Sequence, residues 1–389
     1  MTMRRVVSTH CLAGLGVLAA LAAGVPARAA IQAQKSAYLF RYFSDVKDVR
    51  VLSNYASYDL KLMNQTKLRM QWNHEVVVVA GVSAPPGSPE AVDAITTASR
   101  PIAGSANAFS DYTKVRNELT ADVGVRQMSA GYYISSESDY LAQLVKAGWQ
   151  QTLLDNNLTL GLSSSYGWDA ISPLPDDNVP GQPARVAAND HRQSWDWNAT
   201  ASQVLTTTTV LHVGAQLNQV RGLQHSPYRN VYAGGGPRPE VHPEERTRRD
   251  FYADLDQFLL NRSSVTLSYR YYTDDWGVSS NTLGARLRQY ISDDVTVEYR
   301  YRWYDQGAAR FFRTEYAAAE GIDGFRTGDY RLSDFTAHLF GARLQMNLAA
   351  VSHRRPLLAR FDWSMKYERY FNTNNFSADL LESGLVYRF

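Results

Sequence analysis

The sequence has 389 residues, with 40 Lys and Arg against 38 Asp and Glu, so its formal net charge is +2. This balance argues against a general nucleic-acid binder, which needs a basic face. The single cysteine, Cys11, lies in an apolar N-terminal stretch, so the rest of the chain offers no disulfide, thiol nucleophile or thiolate metal site.

The first 29 residues predict a signal peptide. Arg4 and Arg5 form a positive start, residues 11–25 are apolar, and Ala27-Arg28-Ala29 fits the small-x-small rule for cleavage after position 29. Cys11 would leave with this segment. No later stretch has the roughly 18 consecutive apolar residues that a membrane-spanning helix needs. No linker-like boundary divides residues 30–389, so we expect them to form a single domain.

From about residue 35 onward, apolar and polar residues alternate in segments of strand length. The pattern is clearest in "SVTLSYRYYTDD" (264–275), "DVTVEYRYRWYDQ" (294–306) and "LARFDWSMKYERY" (358–370). A helix would scatter these apolar residues around its circumference, whereas a strand places them on one face. The charged face would cost a few kcal/mol per group near the middle of a bilayer, so it must point into a lumen.

The links between these segments are alternately short and long. Short links are predicted at 62–65, 154–157, 206–209, 261–264 and 292–294, and long links at 81–111, 170–190, 222–246 and 307–330. This alternation predicts an all-β fold, a transmembrane antiparallel up-and-down β-barrel with short periplasmic turns and long extracellular loops. The count comes to about sixteen strands, with both termini in the periplasm. Fourteen is the alternative, because residues 36–60 and 128–150 are poorly patterned.

The chain ends on "LESGLVYRF" (381–389), in which Leu381, Leu385, Tyr387 and Phe389 share one face of a strand. This stripe resembles the insertion signal of Gram-negative outer-membrane barrels; an ordinary edge strand is the alternative. The resemblance implies outer-membrane lipid and the barrel-assembly machinery as partners.

Four further stretches resemble a family of uncharacterised Gram-negative outer-membrane proteins, known mainly as a domain of unknown function. They are "EAVDAITTASRP" (90–101), "SPYRNVY" (226–232), "YRYYTDDWGVSSNTLGARLRQY" (269–290) and "YRYRWYDQ" (299–306). The resemblance implies a barrel of this size and carries no substrate or mechanism.

Five inward-facing arginines on three consecutive predicted strands are the first candidate site. They are Arg270, Arg286, Arg288, Arg300 and Arg302. Guanidinium groups along one wall would concentrate anions in a narrow lumen. Acidic residues also face inward, however, namely Glu298, Asp254, Asp256, Asp362 and Glu368, and they favour a mixed-charge lumen with internal ion pairs. The two interpretations coexist if the pairs line a residual channel.

A barrel of sixteen strands leaves an aqueous opening unless something fills it. The link at 81–111 is the first candidate to fold inward, either as a constriction or as a ligand-contacting loop. Its candidate residues are Asp93, Thr96, Thr97, Ser99 and Arg100. Plain extracellular surface is the alternative.

Catalytic, metal and cofactor sites are not expected. The seven histidines after the signal peptide show no motif spacing, and no HExxH motif, phosphate loop or nucleophile elbow occurs. His225 and His242 share a long link with several glutamates, but "HPEERTRR" (242–249) is most simply a solvated charged segment.

The sequence therefore favours a passive, porin-like outer-membrane channel for small polar or anionic solutes. A plugged or partner-housing barrel that anchors a periplasmic or surface complex is the alternative. A third hypothesis is a hydrolase with Ser, His and an acid at the outer rim. The oligomeric state does not follow from these patterns.

Overall fold

The computed structural model describes residues 31–46, 49–63, 65–79, 112–172, 190–227, 229–351 and 357–389. Within them, sixteen strands close into one barrel. The strands of the wall are β1 Ile31–Asp45, β2 Val49–Leu62, β3 Thr66–Val79, β4 Tyr112–Val125, β5 Met128–Ser136, β6 Tyr140–Leu153, β7 Leu158–Ile171, β8 Asp190–Thr206, β9 Thr209–Gly222, β12 Glu245–Leu259, β13 Ser263–Asp274, β14 Ser279–Tyr290, β15 Val295–Gln306, β16 Phe335–Asn347, β17 Phe361–Asn372 and β18 Ser377–Arg388. Two short strands, β10 Asn230–Ala233 and β11 Gly236–Pro239, pair with each other outside the wall.

Each strand of the wall pairs antiparallel with its neighbours along the chain, and β1 pairs with β18 to close the barrel. Closure leaves no sheet edge with unpaired backbone groups. The predicted fold class and the count of sixteen strands are confirmed. The poorly patterned stretches at 36–60 and 128–150 form β1, β2, β5 and β6.

The two faces of the wall differ as the alternation predicts. Leu267, Tyr299 and Phe340 point outward and are 52%, 51% and 51% exposed, as lipid-facing side chains should be. Polar and charged side chains alternate with them and point inward. No helix in the described part of the chain is long and apolar enough to cross a membrane.

The two ends of the barrel carry different connections. At one end, which we call the short-turn end, the described chain begins at Ile31 and ends at Phe389. Its longest connection runs from 348 to 360 and includes the 3-10 helices Leu348–Ala350 and Leu358–Arg360. The opposite, long-loop end carries the long links, but the turns at 137–139, 275–278 and 373–376 are also there. Short links are therefore not confined to one end.

Two long links at the long-loop end pack against each other. We call residues 223–227, 229–244 and 307–334 the loop body. Ala233 forms a bridge with Tyr316, and Val241 forms one with Arg326, so the two links are joined through their backbones. A small apolar core lies beneath these bridges and continues onto the β13–β14 turn through Trp276, Phe311 and Leu332.

Several predictions fall outside the described residues. These are the signal peptide at 1–29 and the candidate loop residues Asp93, Thr96, Thr97, Ser99 and Arg100.

Candidate functional site

Four of the five predicted arginines line one cavity of about 420 Å³ in the lumen, together with Asp254 and Tyr252. The four are Arg270, Arg286, Arg300 and Arg302. The register explains the grouping, since Arg286 lies opposite Arg300 and the inward faces of β13, β14 and β15 adjoin. Arg288 lies two residues farther toward the short-turn end and does not line this cavity.

Four of the five arginines form ion pairs. Arg288 lies 2.6 Å from Glu298, and Arg300 lies 2.9 Å from Glu368. Arg286 shares Glu298 at 3.9 Å, and Arg270 pairs with Asp250. These ion pairs agree with the interpretation of the lumen as a wall of mixed charge.

Two charged groups of this cavity have no ion-pair contact in the described part of the chain. Neither Arg302 nor Asp254 forms a hydrogen bond or an ion pair with any residue of the ranges described above. Across the ladder, Arg302 lies opposite Gly284 and Leu339. Asp254 lies opposite Ser268 and His212, and the ring of His212 pairs with Asp256 instead. Among the described residues, the cavity therefore combines a cation and an anion that have no direct ion-pair contact.

Asp256, the other predicted aspartate of β12, belongs to a different arrangement. His212 Nε2 lies 3.2 Å from Asp256 Oδ2, and His212 Nδ1 lies 2.7 Å from Ser202 Oγ. The hydroxyl of Thr266 donates to Asp256. This chain of Ser, His and Asp comes from three adjacent strands, and the separations of its members along the sequence match no motif.

The Ser202–His212–Asp256 chain has the residue types of a nucleophile, a base and an orienting acid. It lies in the lumen near the short-turn end, not at the outer rim. An acyl-transfer site also needs donors aimed at an oxyanion. Ser202 lies in a regular part of β8, paired in register with β7 and β9. The adjacent backbone amides therefore donate hydrogen bonds within the sheet and are not aimed at an oxyanion.

A second charged cluster on the opposite wall was not predicted. Lys114 is buried beside Glu137 and lies 2.8 Å from Asp139. Arg116 lies 2.7 Å from Glu75, which also accepts the hydroxyl of Ser53. These contacts join β2, β3, β4 and the β5–β6 turn close to the long-loop end. The weak alternation of this part of the sequence gave no signal for them.

At the long-loop end, the lumen opens into a cavity of about 660 Å³, which we call the mouth cavity. Wall residues such as Tyr140 and Arg192 line it together with His242, Asp329 and Arg331 of the loop body. The loop body therefore faces the lumen and narrows its mouth. Sequence reasoning had assigned that role to residues 81–111, which lie outside the described ranges.

A buried glutamate joins the two halves of the loop body. Glu240, which is 1% exposed, accepts hydrogen bonds from Thr327 Oγ1 at 2.9 Å and from the Gly328 amide at 2.8 Å. Arg229 lies 3.3 Å away. Burial raises the pKa of Glu240, although Arg229 acts in the opposite direction. Burial would also raise the pKa of Asp329, but Arg229 and Arg331 outweigh it and lower that pKa.

His242 is buried in the loop body next to this glutamate. Its Nδ1 lies 3.2 Å from the Gln224 carbonyl oxygen. Burial, followed by the neighbouring His225, lowers the pKa of His242 to about 3. The interpretation of residues 242–249 as a solvated segment is therefore wrong for His242, whereas Glu244, Glu245 and Arg249 are exposed. The segment runs from the interior of the loop body into β12, because the loop folds back over the wall. Among the described residues, no three His, Cys, Asp or Glu side chains gather as metal ligands.

The predicted insertion stripe lies on the outward face at the barrel seam. The ring of Tyr387 packs 4.8 Å from that of Phe361 and 4.7 Å from that of Phe389. Leu385 is outward and exposed, and it pairs with Tyr38 of β1. These residues thus contribute to the seam, and their recognition during assembly stays a prediction.

The sequence profile of the family described as "Protein of unknown function (DUF3570)" matches residues 6–380. The chain belongs to this family. The match confirms the resemblance that the loop and strand motifs indicated. No curated protein matches the sequence.

Solved barrels resemble the fold of this DUF3570 member at low identity. OpdK from Pseudomonas aeruginosa is 10% identical with a TM-score of 0.45, covering 92% of this chain and 98% of its own. OprD from the same organism is 8% identical with a TM-score of 0.43, covering 94% and 100%. A loop-deletion mutant of OmpT, an outer-membrane protein of Vibrio cholerae, is 9% identical with a TM-score of 0.43, covering 92% and 99%. At these values the likeness concerns barrel architecture alone.

Proposed function

We propose that this DUF3570 protein is a passive outer-membrane channel for small polar or anionic solutes. The observation that supports it is a charge-lined lumen inside a closed barrel whose outer face is apolar. The cavity that holds the arginines adjoins a second one of about 490 Å³ through the shared residues Asn198 and Gln216. Such connected polar space within a lipid-facing wall suits the passage of hydrated solutes.

The arginine wall would set the selectivity. Four guanidinium groups share three carboxylates, since Asp250 pairs with Arg270, Glu298 with two arginines and Glu368 with Arg300. With Arg302 and Asp254, five arginines face four carboxylates. The wall therefore keeps a positive surplus, which raises the local concentration of anions. This effect acts through the electric field and hydrogen bonding and involves no reaction.

Single-channel conductance of the refolded mature protein in a planar bilayer tests the proposal. Stable current steps with anion preference under a salt gradient are expected. Cation preference would keep the channel and remove the arginine wall from the mechanism. A folded, heat-modifiable barrel that stays silent would overturn the channel and favour the partner-housing barrel.

A matched pair of variants tests the wall itself. Replacing Arg286, Arg300 and Arg302 together by Gln should lower the anion-to-cation permeability ratio. Arg343→Gln removes an inward arginine outside the cavity and serves as the control. If the triple variant folds and keeps the wild-type ratio, these arginines do not set the selectivity.

A hydrolase is the second candidate, and the Ser202–His212–Asp256 chain is the observation that favours it. Labelling of the folded barrel with a fluorophosphonate probe tests whether Ser202 is activated. Label that disappears in both Ser202→Ala and His212→Ala would establish a nucleophilic serine. A folded barrel without label would leave the chain with a structural role in the lumen wall.

A further inference from the structure

The unpaired charges in the arginine cavity differ from the other charges around them. Arg270, Arg286 and Arg300 each have a carboxylate within 4 Å. Arg302 and Asp254 line the same cavity, and neither forms a hydrogen bond or an ion pair with a described residue. Glu368, which contacts Arg300, attracts Arg302 only at longer range. Unpaired charges in a confined, partly desolvated space are sites where a ligand of opposite charge gains most.

The register explains why these two groups do not pair with each other. Asp254 lies opposite Ser268, Ser268 lies opposite Gly284, and Gly284 lies opposite Arg302. The four positions form one line across β12 to β15. Three strand spacings separate its ends, about 14 Å between the outer Cα atoms along the sheet. The short aspartate side chain cannot cover that span, so a gap separates it from Arg302.

The floor of this gap consists of small side chains. A Cβ atom at Gly284 would lie 3.2 Å from the Ser268 Cβ, so the floor is close-packed and low. Beside it, the ring of Tyr252 lies over Gly214, where even a Cβ atom would collide with it. The space above the floor belongs to the cavity of about 420 Å³, a size that suits a small ligand.

We infer that the cavity between Asp254 and Arg302 binds zwitterionic solutes, in which an ammonium group and a carboxylate are carried by one small molecule. Free amino acids and their ω-amino relatives have this chemistry. The guanidinium of Arg302 would bind the carboxylate in the bidentate geometry that arginine favours. Asp254 would accept hydrogen bonds from the ammonium group. The inference rests on the proposed channel function and names its solute class.

Solutes with a single charge fit this cavity less well. A simple anion would pair with Arg302 but would leave Asp254 without a partner and be repelled by it. A simple cation would pair with Asp254 but would meet the surplus charge of the neighbouring arginines. Only a zwitterion provides a partner for both Arg302 and Asp254. A site of this kind should therefore bind zwitterions more tightly than simple anions or simple cations.

Three probes of matched chain length test the inference: 5-aminopentanoate, pentanoate and pentylammonium. Each is added to one side of a bilayer that holds a single wild-type barrel, and the apparent affinity is read from current block. The zwitterion should bind about tenfold more tightly than either singly charged probe, because it makes one more charge-assisted contact. Equal affinities for 5-aminopentanoate and pentanoate would overturn the inference.

Variants then separate the two ends of the site. Asp254→Asn should abolish the advantage of 5-aminopentanoate over pentanoate while leaving pentanoate block as strong or stronger. Arg302→Gln should weaken block by both. Asp362→Asn and Arg343→Gln remove the same charges from inward positions outside the cavity, and the order of the three probes should not change. If Asp254→Asn behaves like Asp362→Asn, Asp254 does not bind the solute.

Failure of the inference is distinguishable from failure of the channel. Conductance without discrimination among the probes overturns the zwitterion site alone. Absence of conductance from a folded barrel overturns the channel, and isothermal titration of the detergent-folded protein with the same probes then decides the site. The affinities of the three probes are ranked on the wild-type barrel, so this test of the zwitterion site stands even if a variant misfolds.

Discussion

The barrel wall and the loop body are stabilised by different kinds of contact. In the wall, Arg288 and Glu298 are ten residues apart and meet because their strands are neighbours. In the loop body, Glu240 and Thr327 are 87 residues apart and meet in a fully buried cluster. The wall repeats one local pattern many times, whereas the loop body depends on a small apolar core and a few buried polar contacts. We therefore expect the loop body to open without loss of the barrel.

The largest effect is expected when the centre of the loop body is removed. Glu240→Ala leaves the Thr327 hydroxyl and the Gly328 amide without their acceptor and takes one carboxylate from Arg229. Loss of one partner from a buried charged cluster costs about 3–5 kcal/mol. Trypsin should then cleave the loop body rapidly, while gel mobility still reports a folded barrel. Glu244→Ala, an exposed position of the same link, is the control. Unchanged proteolysis would show that Glu240 does not hold the two links together.

A fall in pH should have a smaller effect on the opening of the loop body. His242 has a folded-state pKa of about 3, whereas an unfolded histidine titrates near 6.5. The open loop therefore binds a proton that the closed loop body does not, and opening becomes easier as the pH falls from 6.5. From pH 7 to pH 5 this linkage amounts to about 2 kcal/mol.

Hydrogen exchange of the amides of residues 229–244 at the two pH values measures this opening. Glu240, Asp329, Arg229 and His225 also surround the ring, and the raised pKa of Glu240 has the opposite sign. The His242 contribution is therefore read as the difference between the wild type and His242→Gln. If both proteins show the same pH dependence, His242 does not control the opening.

In the wall, disturbing a close packing contact should reduce stability more than breaking an exposed ion pair does. Gly214→Ala would place a Cβ atom 2.2 Å from the Tyr252 ring, which must move away. The expected cost is about 1 kcal/mol, measured as a lower temperature of the heat-modifiable mobility shift. The displaced ring should also lower the single-channel conductance. Gly236→Ala in the loop body has no atom within 4 Å of the new Cβ and should leave both measurements unchanged.

The smallest effect is expected at an exposed ion pair of the wall. Arg288→Gln breaks the contact with Glu298, but the arginine side chain is 36% exposed and screened by solvent. The change in unfolding free energy should stay below about 1 kcal/mol, as judged from urea unfolding in detergent. A loss comparable to that of Glu240→Ala in the loop body would show that the two regions do not differ in the way proposed here.

The candidate site was predictable only in part, because the sequence pattern shows which face a residue lies on but not which residue it pairs with. Period-two alternation assigned Arg270, Arg286, Arg300, Arg302 and Asp254 to the inward face, and the order of strands placed them on one wall. It could not show that Arg302 and Asp254 form no ion pair with any described residue, because pairing depends on register. The Ser202–His212–Asp256 chain and the Lys114 cluster were missed because their members are scattered along the sequence.

The sequence by itself determined the barrel and the face on which each charge lies, because a strand has a period of two and lipid tolerates charge on only one face. It left the strand count between fourteen and sixteen. The tertiary structure decided which charges pair and where the lumen narrows. Those outcomes depend on the alignment of neighbouring strands and on contacts between links that are far apart in the chain. Glu240 bonding to Thr327, and the gap between Asp254 and Arg302, are of this kind, since no local pattern specifies either one.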